Sequence, residues 1–313
     1  MVLLLQYTIL FASVLSLVAL GGCFSEHSGV INLGLEGIMV IGALGGALTM
    51  KFMDPNVPAV VMIVVVCLAA MASGMLYSVF LAIASINFNA DQTLVGTAMN
   101  MMATAIATVI VRAVNTSENP DNVSTIVQYI DAKKAFLVNI GGFEFNWFML
   151  LALIALIVAT IVLYKTRFGL RLIACGENPQ AAASVGVDVI KMRWAGVLIS
   201  GLLGGLGGIV YITAGVSEWK FEMGVAGFGF LSLAVMIFGQ WKPWKIGLSA
   251  LLFGFFRALS NFYSGFAWFV AMGIDSKIYN MLPYIISLIV LAFTSKNSKA
   301  PKAEGIPYDK GTR

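Results

Sequence analysis

The first charged residue of this chain is Glu26, and before it lies an uninterrupted apolar run, 3–21, LLLQYTILFASVLSLVALG. Runs of the same kind recur at 59–86, 146–164 and 194–214, none holding an Asp, Glu, Lys or Arg. About 20 consecutive apolar residues make a helix long enough to cross the hydrocarbon of a bilayer. Inside that hydrocarbon no water satisfies the backbone, so the helix is the form such a segment takes. A large soluble core is excluded by the supply of charge. Only 11% of the residues are charged, against about 25% in soluble domains, too few to cover a water-facing surface.

The remaining apolar stretches are less regular. Segment 29–50, GVINLGLEGIMVIGALGGALTM, is long enough to span but glycine-rich, and carries Asn32 and Glu36 inside it. Segment 93–114 carries Thr93, Thr97, Asn100 and Thr104. Segment 226–239 is short, 264–277 is only partly apolar, and 246–263 and 279–294 read as spans. The expected fold is an all-α polytopic membrane protein with about eight to ten transmembrane segments. One or more of 29–50, 226–239 and 264–277 is expected to be broken or re-entrant. Residues 1–295 form a single transmembrane domain, followed by a polar tail, 296–313. The first run lacks a basic flank and a small-residue cleavage site, so it reads as a retained helix rather than a leader.

Basic residues set the orientation. They gather in 165–193 (Lys165, Arg167, Arg171, Lys191, Arg193), in QWKPWK (Lys242, Lys245) and in the tail (Lys296, Lys299, Lys302, Lys310, Arg313). The excess of Lys and Arg on cytoplasmic loops places all three in the cytoplasm, with the C-terminus. Loops 115–145 and 215–225 and the N-terminus then lie outside. The net charge of +4 is spread over loops rather than gathered in a patch, which argues against nucleic-acid binding.

No catalytic constellation is present. There is no G-x-x-x-x-G-K-[ST], H-E-x-x-H or G-x-S-x-G, so no P-loop nucleotide site, zinc protease helix or nucleophile elbow is expected. Cys23, Cys67 and Cys175 are far apart and His27 is the only histidine, which supports neither a disulfide framework nor a metal site. His27 reads as a loop residue in the polar link Gly22–Ser28. Gly196, Ser200, Gly204 and Gly208 recur every four residues and make a small-residue face for helix packing. The polar groups inside the apolar segments are the candidates for a transport path, since each costs free energy in hydrocarbon and must face protein or water. Glu36, flanked by Gly34 and Gly37, either lines such a path at a broken helix or pairs with a neighbouring helix. Asn32, Thr97 and Asn100 carry the same two readings; Thr97 and Asn100, three apart, share a helix face. Arg257, midway along its span, meets cargo, pairs with Glu36 or snorkels to an interface.

Within 165–193, ENPQAAASVG spells a short helix. Asn178 is a good N-cap, Pro179 suits the first helical position, QAAASV gives about two turns, and Gly186 suits the stop. So short a helix is unstable alone in water and must dock; its small side chains suit a knob entering a partner's groove. FGLRLIACGENPQAAASVGV resembles the cytoplasmic coupling segment of ABC importer permeases, in the family handling branched-chain amino acids, ribose and purine nucleosides. GVINLGLEGIMVIGA, ADQTLVGTAMN and GVAGFGFLSLAVMIFGQWKPW resemble further signatures of that family, and the combination is most similar to its nucleoside (sugar) branch. Cys175 stands where a small Ala or Val is expected.

The resemblance implies a multi-chain importer. Gly176, Glu177, Asn178, Pro179, Ala181, Ala182 and Gly186 would couple to a cytoplasmic ABC ATPase, and Asn32, Glu36, Thr97, Asn100 and Arg257 would line the translocation pathway. A second permease subunit, a paralogue, would complete that pathway, and an extracytoplasmic substrate-binding lipoprotein would deliver the cargo, a purine nucleoside or a sugar. ATP and Mg would be bound by the ATPase, with no cofactor and no catalysis in this chain, which works by alternating access in the cell membrane. An ATP-independent carrier or channel is the alternative; against it stands the capped helix, which such a carrier does not require. Ala182→Glu is expected to disrupt the knob and abolish uptake.

Overall fold

The computed structural model describes residues 2–54, 56–127, 137–140, 143–215, 219–262, 276–294 and 300–309. The expected segment 264–277 falls almost wholly outside these, as do Asp131, Lys133 and Lys134 of loop 115–145. The chain runs through α1 (Val2–His27), α2 (Leu35–Phe52), α3 (Ala59–Ala82, extended by a π turn over Ile83–Asn87) and α4 (Gln92–Glu118). A hairpin follows, β1 (Leu137–Ile140) and β2 (Phe143–Asn146), with Leu137 opposite Asn146 and Ile140 opposite Phe143. Then come α5 (Trp147–Lys165), α6 (Arg167–Glu177), α7 (Pro179–Ser184), α8 (Val189–Val210), α9 (Phe228–Phe238), α10 (Pro243–Phe262) and α11 (Ser276–Thr294). Among the described residues, 6 helices are long and apolar enough to cross a membrane. Helices α10 and α11, with 20 and 19 residues, have the length as well. The protein is an all-α, multi-pass membrane protein; the hairpin is a local exception that the sequence reading did not anticipate.

Helix α8 is the centre of the bundle, packed by α1, α2 and α3. Helices gain no hydrophobic drive from association in lipid, so close backbone approach through small residues holds them together. The seam of α8 shows this. A methyl on Gly208 would overlap the Met39 carbonyl of α2, and one on Gly205 the Ala70 carbonyl of α3. Gly196 lies against Phe24 and Ser28, and Gly204 against Ile38. The four-residue repeat therefore packs helices, as expected from the sequence. The outer faces of α3 and α5 expose Val60, Leu68, Phe80, Ile154 and Ile157, a surface suited to acyl chains rather than water.

Helix α1 does not stop where the apolar run stops. It continues through Glu26 and His27, which the sequence reading assigned to a loop. Both are satisfied on the helix end by Trp241: its indole Nε1 donates to Glu26 Oε2 at 2.5 Å, and its carbonyl lies 3.0 Å from the His27 ring nitrogen. The basic segments thus meet at one end of the bundle: α6 through Gly176 on the His27 carbonyl, the 240–242 turn through Trp241, and residues 300–309 through Ala303 N–H donating to Gly176 O at 2.8 Å. At the other end Lys51 pairs with Glu118 at 2.7 Å, Arg112 with Glu222 at 3.8 Å, and Ile126 bridges Lys220.

Candidate functional site

Two places answer to the sequence expectations: the short helices at the basic end, and a junction of broken helices inside the bundle.

At the basic end the helix over 179–184 forms as read. Asn178 Oδ1 accepts from Ala181 N–H at 3.0 Å, while the Asn178 N–H donates to Ala174 O at 2.9 Å, so one residue closes α6 and opens α7. Pro179 sits in the first turn of α7. Gly186 adopts φ 85° just past its end, the left-handed conformation glycine takes without penalty. The helix preceding it, α6, was not anticipated. Its signal was present: Phe168, Leu172 and Cys175 recur at helical spacing, and Leu172 and Cys175 are fully buried.

The structure divides the expected coupling residues in two. Glu177, Asn178, Ala181 and Gly186 are exposed and Pro179 half-buried, alongside exposed Gln180, Ser184 and Val185. Gly176 and Ala182 are turned inward. Gly176 is wedged against His27, and Ala182, 4% exposed, packs with Cys175 and Val189. A charge at Ala182 would enter this small core, so Ala182→Glu probes folding of the segment rather than its outer face. Cys175 acts as a small hydrophobe there; burial pushes its thiol up to about 11, which leaves it unreactive.

The second place is the start of α2 and of α9. Both helices begin inside the bundle. Residues 28–34 turn back after α1, and Asn32, fully buried, fixes the turn by donating to Ser200 Oγ at 2.8 Å and accepting from Gly34 N–H at 3.1 Å. Asn100 of α4 braces the same break: its amide donates to Leu33 O and its carbonyl accepts from Gly37 N–H, both at 2.8 Å. Glu36, in the first turn of α2, accepts from Gly227 N–H at 2.8 Å and Gly229 N–H at 2.7 Å. It caps the open amides at the N-terminus of α9, where a helix dipole favours an anion.

The depth follows from helix rise. Asn100 lies about 12 Å along α4 from Gln92, and Gly229 about 14 Å along α9 from Phe238, at about 1.5 Å per residue. In a hydrocarbon core of about 30 Å the junction lies near the middle. A charge there costs about 2.5–3.5 kcal/mol, and hydrogen bonds to a charged group return about 1.5–3 kcal/mol each. Two such bonds offset the cost without any ligand.

Arg257 does not pair with Glu36. Its guanidinium stands 5.2 Å from the Phe228 ring centroid, and its buried Nε has no hydrogen-bond partner. Thr97 is exposed, its hydroxyl donating to its own helix at Thr93 O. The structure brings Asn32, Glu36, Asn100 and Arg257, named from the sequence as candidates for a pathway, to one junction, where their partners are Ser200, Leu33, Gly34, Gly37, Gly227, Gly229 and Phe228, and sets Thr97 on the open face of α4. Left out of that reading were Gly224, Ala226 and Gly227, which turn the chain into α9 with φ of 62°, 52° and 78°, and Tyr284, whose hydroxyl donates to Ala226 O at 3.3 Å. The motif GVAGFG was the signal for that turn. Among the described residues no group of three His, Cys, Asp or Glu is arranged to hold a metal ion.

A family model described as branched-chain amino acid transport system / permease component matches residues 4–293. The chain is 39% identical to the guanosine ABC transporter permease protein NupQ of Bacillus subtilis, covering 98% of this chain and 96% of the relative. It is also 39% identical to the nucleoside ABC transporter permease protein NupC of Lactococcus lactis, covering 96% and 95%. To the putative glucose ABC transporter permease protein TsgC13 of Haloferax volcanii it is 32% identical, covering 82% and 76%. No solved structure matches it.

Proposed function

The chain belongs to the family of branched-chain amino acid transport system permease components, and from that premise we propose that it carries purine nucleosides across the cell membrane as one of two permease subunits of an ABC importer. The observation that carries the cargo is the pair of 39% relatives, matched over nearly their whole length and named for guanosine and for nucleosides. The site chemistry supports a neutral polar cargo. An amino-acid zwitterion calls for charged partners, whereas Glu36 is committed to the α9 amides and Arg257 stands over the Phe228 ring. The open side of α4 offers instead hydroxyls, Thr97 exposed and Thr104 and Thr108 half-exposed along one face. A sugar is the second reading, supported by the 32% relative named for glucose.

In this reading the basic end is cytoplasmic. The outer face of α7, with Gln180, Ala181, Ser184 and Val185, docks in a groove of an ATPase that binds ATP and Mg. A second, related permease faces the α4 stripe across the pathway, and an extracytoplasmic binding protein delivers the nucleoside to the opposite end. Closure of the ATPase pair moves α6 and α7, and the half-helix α9 shifts at its mid-membrane start. The test is uptake by the complete transporter in proteoliposomes with labelled guanosine. Uptake competed by inosine and not by leucine or glucose is expected. Glucose or leucine transport without guanosine transport overturns the cargo, and guanosine transport by this chain without an ATPase overturns the importer.

A further inference from the structure

We propose that residues 300–309 form a strap that positions the α6–α7 coupling unit on the end of α1, with Tyr308 and Glu304 as its positioning residues. Polar tails of this kind have little apolar surface to bury and ordinarily stay in water. This one does not. Pro301 is buried and Ala303 is 6% exposed. Its backbone bonds two separate elements: Ala303 N–H donates to Gly176 O at 2.8 Å at the end of α6, and Gly305 N–H donates to Gly29 O at 3.2 Å in the α1–α2 turn. Because Gly176 is also pressed on the His27 carbonyl, its peptide ties α1 to the strap.

Two side chains complete the tie. Glu304, whose Oε2 is buried without a hydrogen-bond partner, lies beside Glu26, and Glu26 receives the Trp241 indole, so this contact links the strap, α1 and the turn before α10. Tyr308 packs on the small core of Cys175, Ala182 and Val189, with Ala183, Val187 and Met192 around it. Its ring centroid lies 5.9 Å from the guanidinium carbon of Arg193. Arg193 is 1% exposed and its Nε and one Nη find no hydrogen-bond acceptor. The Tyr308 face is therefore a principal compensation for that buried cation. Helices of 11 and 6 residues are too short to hold their own position. The strap ties them to the end of α1, so that a push on α7 reaches α1 instead of folding the segment away.

The proposal rests on the coupling role of α7, and its test separates the two. In the reconstituted transporter, Tyr308→Ala and a chain ending at residue 299 are compared for assembly with the ATPase, ATP hydrolysis and uptake. Assembly and hydrolysis at the wild-type rate with uptake reduced at least about tenfold are expected, with Tyr308→Phe, which keeps the ring face, restoring uptake. Wild-type uptake per ATP in both variants overturns the strap. So does loss of folded permease in both, since the tail is then only a stability element. Ala181→Glu, on the outer face of α7, reports separately: if it assembles and transports normally, the coupling role of α7 fails, whatever Tyr308 does.

Discussion

A carboxylate in the middle of a membrane must find partners, and for Glu36 they are two backbone amides. Its need was legible in the sequence from the cost of a charge inside an apolar segment. Its partners were not, because they lie 191 and 193 residues away and are peptide groups that no side-chain pattern marks. Glu36→Ala leaves the amides of Gly227 and Gly229 unpaired in a buried junction and is expected to destabilise the protein by about 3 kcal/mol, read as a lowered thermal unfolding midpoint in detergent. Glu36→Gln keeps one acceptor oxygen and is expected to lose roughly half as much. The same scale separates two neighbouring alanines. Ala181→Glu, on the exposed side of α7, is expected to leave folding intact and abolish ATPase assembly or uptake, whereas Ala182→Glu drives a charge into the Cys175–Val189 core and is expected to lower the amount of folded protein in the membrane. A run of three alanines carries no periodicity, so only the structure tells which one faces in.

Among the elements, α8 and α7 use glycine for opposite reasons, and substitution separates them. At Gly208 there is no room: a side chain meets the Met39 backbone, which cannot step aside. Gly208→Leu is expected to abolish folded, monodisperse protein on size-exclusion chromatography. At Gly186 nothing lies within 4 Å of an added methyl, and the cost is conformational alone, about 1–2 kcal/mol for a left-handed residue. Gly186→Ala is expected to yield folded protein with a modestly lowered unfolding midpoint. The four-residue repeat made the α8 seam readable in advance. Helix α6 was overlooked because its buried side, Leu172 and Cys175 flanked by Gly169 and Gly176, is narrow, and the charges between them resemble a loop. The extension of α1 was overlooked because Glu26 and His27 look like solvent residues until Trp241 is seen over them.

For the whole molecule, the alternation of apolar runs and basic segments was enough to sort the chain into two ends, and the structure gathers 165–193, 240–242 and 300–309 at one of them. The docking of 300–309 was not legible, since a polar composition predicts solvation and five undescribed residues separate it from α11. Its contact with Glu26 makes the tail sensitive to pH. Burial pushes the Glu304 carboxyl up from 4.5 to about 7. A carboxyl with a raised value in the docked state favours docking when protonated, so docking is strongest below about 4.5 and weakens as pH rises through about 7. The titratable group facing it is Glu26, held by Trp241; Lys302 is exposed to solvent. Residues 300–309 are expected to be cut more slowly by protease at pH 6 than at pH 8, and Glu304→Gln is expected to reduce that difference.

The glycine seam also decides where this molecule bends. An interface of backbone against backbone has no side chains to change rotamer, and so no second way to pack. Helices α1, α2, α3 and α8 therefore behave as one girder, with the slowest amide exchange in the protein expected along α8. Helix α10 joins that girder where Gly254 meets the Thr8 and Ala12 backbone of α1, and motion is left to what is attached beyond it: the half-helix α9 at its mid-membrane start, and α11.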